Sequence, residues 1–194
     1  GDADSLKEIY PALIKMHTRG MALYGLPGNF NTNVLYYNKT LFAREGIPAP
    51  DESWDWNLML EAALKLTKRD AAGRVLQRGL IVNMEWMEFV LANNGAFWSP
   101  DFTRAILNNE EARRAFRFYV DLTAKYGVAP SPREKDADGT GGAQPFFNGR
   151  AGMMLGGRWW TALMRKYSDI DWSVAPIPAS FAGRHASSMI CTSM

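Results

Sequence analysis

Cysteine is almost absent from this chain. A single one, Cys191, in 194 residues allows no intrachain disulfide, no disulfide framework and no multi-cysteine metal site. Histidine is nearly as scarce: His17 and His185 stand far apart, with no carboxylate cluster at ligand spacing, so no metal site can be argued and no cofactor is expected. Charge of one sign is lacking too. The formal +2 comes from 22 basic and 20 acidic residues scattered along the chain, which does not make the concentrated positive field that a phosphate backbone requires, so nucleic acid is not expected as a partner. There is no apolar run of about eighteen residues and no basic start leading into an apolar stretch, so neither a membrane span nor a secretion signal is read. The opening at Gly1 in the approach to a helix, and the stop at Met194 inside the apolar run that begins at Ser188, read as cuts through a larger fold.

What remains is ordinary globular material. A hydrophobic fraction of 47% against 22% charged suffices for one substantial core. Seven Trp, seven Tyr and ten Phe exceed what such a core needs, which leaves rings available to line a ligand surface.

Strand and helix signals alternate along the chain. Residues 5–16 carry helical spacing behind Ser5 and Glu8 as a capping pair, interrupted at Pro11. Residues 21–26 read as a short strand and Pro27-Gly28-Asn29 as a turn. Val34 to Tyr37 is a buried strand, with Asn38 capping a short helix over 39–45. Asn38-Lys39-Thr40 also fits the glycosylation pattern, a common chance match at a residue already needed as a cap. Ser53 is expected to cap a helix over 54–68 with Trp54, Leu58, Ala62 and Leu66 on its inner face. A strand over 77–82 precedes a helix bearing Trp86, Phe89, Val90 and Asn93, stopped at Asn94-Gly95. From an Asn109 cap to Tyr126, Ala112, Ala115, Phe116, Tyr119, Val120 and Thr123 mark the clearest amphipathic helix. Residues 130–143, including Gly139-Thr140-Gly141-Gly142, read as a surface loop, followed by a short helix from Gln144. A strand over 151–155, a tight turn at Gly156-Gly157, a helix from Trp159 to Tyr167 and a strand over 172–176 complete an α/β layer fold.

A series of short motifs in fixed order gives these pieces a family likeness. They are Tyr24-Gly25-Leu26-Pro27, Thr32 followed by Leu35-Tyr36-Tyr37-Asn38-Lys39, Leu41-Phe42, Gly46-Ile47, Pro50 and Ser53-Trp54-Asp55. After them come Ala63-Leu64-Lys65-Leu66-Thr67, Asn94-Gly95, Phe118-Tyr119 with Leu122, and Gly127-Val128-Ala129-Pro130. The series ends with Phe147-Asn148-Gly149-Arg150-Ala151-Gly152-Met153, Gly157-Arg158-Trp159 and Ala175-Pro176-Ile177-Pro178. Each is weak alone, but together they cover nearly the whole chain. In order and spacing the chain resembles family 1 of the extracellular solute-binding proteins, the group that includes maltose-binding protein.

The resemblance implies a periplasmic-binding-protein-like α/β fold of type II: two lobes joined by hinge strands, with ligand held between them. On that pattern residues 1–31 end the first lobe and 32–186 form the second. Residues 187–194 start the hinge return, near Ser187. It further implies a binding protein without catalytic residues, periplasmic or at the cell surface, that binds a carbohydrate or related polyol and serves an ABC permease in the membrane. A truncated chain with uncovered strands and an apolar face could also pair with itself as a dimer.

Sugars present apolar ring faces and a rim of hydroxyls, so aromatic platforms and short polar side chains are the residues to look for. Trp159 matches the position where the resemblance places a stacking tryptophan, with a core ring as the ordinary alternative. Asn83, Glu85 and Trp86 follow a strand end, where α/β sheets hold ligands. Trp86 can stack and Glu85 can accept hydroxyl hydrogen bonds, or the two can be a helix-face ring and a helix N-terminal charge. Asn31, Thr32 and Asn33 lie on the expected hinge, or form a plain turn. Arg158 suits an anionic ligand, although a structural Arg is commoner. A glycan hydrolase using Glu85 with Glu88 is the alternative from another class, against the fact that two acids three apart on a helix usually form a solvated face. His185 and Cys191 as a thiol and base lack an orienting partner.

Overall fold

The computed structural model describes residues 5–136, 142–167, 169–185 and 189–193. Two compact units emerge, Gly1–Thr32 with Met189–Met194, and the larger Asn33–Ser188. The expected hinge return at Ser187 and most of the Gly139 to Gly142 loop lie outside the described residues, as does the Ser5 side chain of the expected capping pair.

In the smaller unit a 3₁₀ turn over Ser5–Glu8 leads to helix α1, Pro11–Met16. Pro11 occupies the first helical turn, where its missing N–H costs nothing, so it restarts the helix instead of breaking one. Strands β1 (Thr18–Arg19) and β2 (Ala22–Leu23) make a short antiparallel pair, so only two residues of the strand expected over 21–26 are paired. The segment read as a turn at Pro27-Gly28-Asn29 instead opens the twelve-residue strand β3, Pro27–Asn38. Strand β8, Met189–Ser193, pairs antiparallel with its first half and draws those residues into the ladder, with a register shift between Pro27 and Asn29. Pro27 sits at the first strand position, where a proline is tolerated.

The second half of β3 lies in the larger unit, in a sheet of spatial order β4 (Lys68–Arg69), β5 (Val75–Val82), β6 (Ala151–Gly157), β3, β7 (Trp172–Ala175). The β5 and β6 strands run parallel, and β3 runs antiparallel to both β6 and β7. Side-chain alternation sends Leu35, Tyr37, Leu80, Val82, Met153 and Leu155 into one core and Tyr36, Ile81 and Met154 into another on the opposite face. A sheet covered on both faces explains why β6 is buried at every position.

Helix α2, Lys39–Arg44, follows β3 directly, because the Asn38 side chain accepts from the Leu41 N–H at 3.0 Å. For α3, Trp56–Leu66, the cap is Asp55 and not Ser53. The Asp55 carboxylate accepts from the backbone of Asn57 and Leu58, whereas the Ser53 hydroxyl and N–H both donate to Asp51. The α3 face turns accordingly: Trp56, Met59, Ala62, Ala63 and Leu66 are buried and Leu58 is exposed.

After β5 comes α4, Trp86–Ala92, which ends on Asn94 at φ +62°. Gly95 serves close packing instead, since a Cβ there would meet Val90 at 2.6 Å. Helix α5, Glu110–Ala124, is capped by Asn109 as expected, but buries Phe118 and Leu122 and leaves Phe116 and Val120 half-exposed. The reason is the Trp56 ring, which stacks parallel on Phe118 at 4.9 Å.

The region read as a surface loop over 130–143 contains a helix, α6 (Pro132–Asp136), and the signal was present: Ser131 and Glu134 each accept from the other's backbone N–H. Helix α7, Gln144–Phe147, is where the sequence puts it. Gly156 and Gly157 remain in β6, the turn falls at Arg158-Trp159, and α8 runs over Trp160–Tyr167.

Candidate functional site

The larger unit brings three chain segments to one end of its sheet. Parallel β5 and β6 finish there at Val82 and Gly157, and antiparallel β3 enters there, with Asn33 opposite Gly157 and Val34 opposite Gly156. The first residues beyond the strands are Asn83, Glu85 and Trp86 on one side and Arg158 and Trp159 on the other. This is the position at which open α/β sheets hold ligands.

Asn83 is fixed through its backbone, which donates to the Leu155 carbonyl at 2.8 Å, and its half-buried amide lies beside Met154. Glu85 is exposed at the start of α4. Glu88, one turn later, is buried. One of its carboxylate oxygens accepts from the Glu85 N–H at 2.7 Å, and the other accepts from the Asn33 side-chain amide at 2.7 Å. The Glu85 charge also reaches the Tyr119 phenol, whose pKa is raised first by burial and then by that carboxylate.

On the opposite side the Trp159 ring is 40% exposed, enough to offer a face to a ligand. It folds back over Gly157, where an added Cβ would lie only 1.7 Å from a ring carbon. Trp160 turns the other way, into the core that also holds Phe147, and its indole N–H is buried with no hydrogen-bond partner among the described residues. The Tyr36 hydroxyl bonds the Gly157 carbonyl at 3.1 Å and Thr161 Oγ1 at 2.9 Å, tying the end of β6 to the start of α8. Burial keeps that phenol protonated beyond its usual range, against the pull of the Thr161 hydrogen bond and the nearby Arg158 cation.

Asn33, Asn83, Glu85, Arg158 and Trp159 therefore share one end of one sheet. The Trp86 ring is placed differently. It meets Phe97 and Phe116 edge-on at 5.8 and 5.3 Å and lines a groove of about 680 Å³ with Leu107, Tyr119 and Val120. Asn31 and Thr32 belong to the smaller unit, paired with Ile190 and Met189 in mid-strand, and form no turn.

A family model described as bacterial extracellular solute-binding protein matches residues 1–190. The chain belongs to that family. Solved structures agree on the fold. An ABC substrate-binding protein from Listeria monocytogenes in complex with cycloalternan has a TM-score of 0.77 at 23% identity, covering 100% of this chain and 50% of that one. Maltose-bound MalE3 of T. maritima gives 0.75 at 22% identity, with 95% and 48% covered. An ABC transporter solute-binding protein from Thermotoga lettingae, bound with alpha-D-tagatose, gives 0.72 at 26%, with 94% and 47% covered. The chain spans about half the length of each. The resemblance and the periplasmic-binding-protein-like α/β fold expected from the motif series are thus borne out.

The family and these neighbours are solute-binding proteins and not enzymes, and Glu85 and Glu88 are not arranged here as a hydrolase's carboxylate pair. Paired carboxylates need two acids facing one substrate bond. Here Glu88 is buried, with one oxygen on Asn33 and the other on Glu85. Sequence reasoning missed the roles of Glu88, Tyr36 and Gly157. Only Glu88 left a signal, in the Glu85-x-x-Glu88 spacing at a helix start.

Proposed function

We propose that this binding protein is the substrate-binding component of an ABC importer, taking a sugar or related polyol between two α/β lobes and delivering it to a membrane permease. On this reading the second lobe spans 32–186, within two residues of the larger unit Asn33–Ser188 at either end; residues 1–31 end the first lobe, and 187–194 begin the return to it. The observation that carries the reading is the exposed Trp159 ring at the sheet end shared with Asn83, Glu85 and Arg158. An indole face suits the apolar face of a pyranose or polyol, and the amide, carboxylate and guanidinium suit its hydroxyls. Asn31, Thr32 and Asn33 lie along the strand that passes from one lobe to the other, and Trp86 follows Glu85 with its ring packed on Phe97 and Phe116. The neighbours' ligands, cycloalternan, maltose, tagatose and, in a protein from Agrobacterium vitis, D-mannitol, lie in this chemical class. Membership of an extracellular family supports a location in the periplasm or on the cell surface, where the closed, loaded form would dock on the permease.

The test is a thermal-shift screen of the full-length protein against sugars, polyols, amino acids and polyamines, since a ligand that binds only the folded state raises Tm. At a ligand concentration of about 100 Kd the stabilisation is about 2.7 kcal/mol, readily seen as a shift. A response confined to sugars or polyols supports the reading; a response to amino acids or polyamines alone overturns the ligand class.

A further inference from the structure

Glu88 is a buried acid between the exposed Glu85 and the buried Asn33, and burying a carboxylate is costly unless it answers a need for acceptors. The need here is specific. Two N–H donors face it, the Asn33 amide and the Glu85 backbone, each at 2.7 Å, and the Glu88 N–H in turn donates to the Glu85 carbonyl at 3.0 Å. Glu85 is therefore held at both of its backbone polar groups by one residue. Asn33, the other partner, is the register partner of Gly157, over which the Trp159 ring lies. One carboxylate thus connects the segment carrying Glu85 to the strand pair carrying Trp159, across 55 residues of sequence.

We propose that Glu88 is a positioning residue of the ligand site, fixing Glu85 against the Asn33 and Gly157 end of the sheet so that Glu85 and Trp159 address the same ligand; this rests on the site reading given above. Glu88 does not touch the ligand. It acts through Glu85, and it must be acceptor-only on both oxygens. A glutamine there presents an NH₂ to one of the two donors, unless Asn33 is exchanged for an acceptor at the same time.

The test measures calorimetric Kd for maltose, maltotriose and D-mannitol with the full-length protein, as wild type, Glu88→Gln, Asn33→Asp, the double exchange Asn33→Asp with Glu88→Gln, Glu85→Ala, and Glu85→Ala with Glu88→Gln. The expected result is that Glu88→Gln weakens binding of the sugar that wild type takes up by tenfold or more. The double exchange returns Kd to within about threefold of wild type, because the bond between residues 33 and 88 can re-form in the reverse direction while the other oxygen of residue 88 still accepts from the Glu85 N–H. Adding Glu88→Gln to Glu85→Ala costs nothing further. Should Glu88→Gln alone fail to fold, the double exchange, which again gives the residue 33 and residue 88 side chains one donor and one acceptor, carries the comparison with Asn33→Asp. An unchanged Kd in Glu88→Gln overturns the proposal while leaving the binding function intact. So does a loss that the double exchange does not rescue and that adds fully to Glu85→Ala, the pattern of a merely structural residue. If wild type binds none of the three probes while the wider screen answers only to another class of ligand, the site reading fails and takes this proposal with it.

Discussion

The Trp159 ring lies across Gly157 with a face exposed because residue 157 has no side chain to push it away. A methyl group at that position would stand 1.7 Å from the ring, yet the atom it meets is the far end of a side chain, so the ring can move without unfolding the sheet. Gly157→Ala is accordingly expected to lower ligand affinity about tenfold or more while shifting Tm by only a few degrees, with calorimetry reading the first and thermal unfolding the second. Trp159→Ala should lose affinity to at least the same degree. At this scale the sequence was informative about residue type and silent about direction. Trp159 and Trp160 are adjacent and chemically identical, but only the fold decides that the first crosses Gly157 while the second enters the core. Asn33 was legible as a polar residue before a buried strand, whereas its bond to Glu88 joins positions 55 apart and leaves no local pattern.

Among the elements, the strands and helices were legible where periodicity and caps agreed, and misread where two apolar stripes competed. Helix α5 carries Phe116 and Val120 on one line and Phe118 and Leu122 on another, both at the four-residue spacing of a helix face. The choice between them is made by Trp56, a residue of another helix, so no reading of 110–124 alone can make it. Phe118→Ala is expected to cost about 3–5 kcal/mol, as for a buried ring, and Phe116→Ala about 1 kcal/mol or less, measured by urea unfolding. Equal losses would mean that the stripes had been assigned to the wrong faces. The capping error in α3 has the same origin. Both Ser53 and Asp55 are good caps by type, and Asp51 decides between them by taking the Ser53 hydroxyl and N–H for itself.

For the molecule as a whole, the scattered charge read from the sequence resolves into local arrangements with a common sign of effect. The Lys68 ammonium hydrogen-bonded to Glu45, the Ser53 hydroxyl on Asp51, the Arg74 guanidinium on Asp70 and the Ser99 hydroxyl on Asp101 each hold a carboxyl below its usual range. A carboxylate with a depressed folded-state pKa contributes stability that is present above the ordinary carboxylate range, about pH 4, and is lost as pH falls through the folded value. Tm should therefore be level from neutral pH down to about 5 and fall below about 4. Asp101→Asn should flatten part of that acid limb, which a pH series of thermal melts would show. Asp51 and Asp101 are exposed and Glu45 and Asp70 half-buried against more exposed cations, so each effect is small and only their sum is measurable.

Strand β3 also sets a clock. Its neighbours within the larger unit are β6 and β7, and its neighbour in the smaller unit is β8, all of which are made more than a hundred residues after it. A ribosome adds roughly 5–20 residues per second, so this strand, which lies between β6 and β7 in the sheet, waits on the order of 10 s for its first partner. Tyr36 and Leu35, wholly buried at the end, spend that interval uncovered. For a nascent chain this is an extended period without a closed core, in which a holding chaperone can bind and folding can be deferred until the last strands have been made.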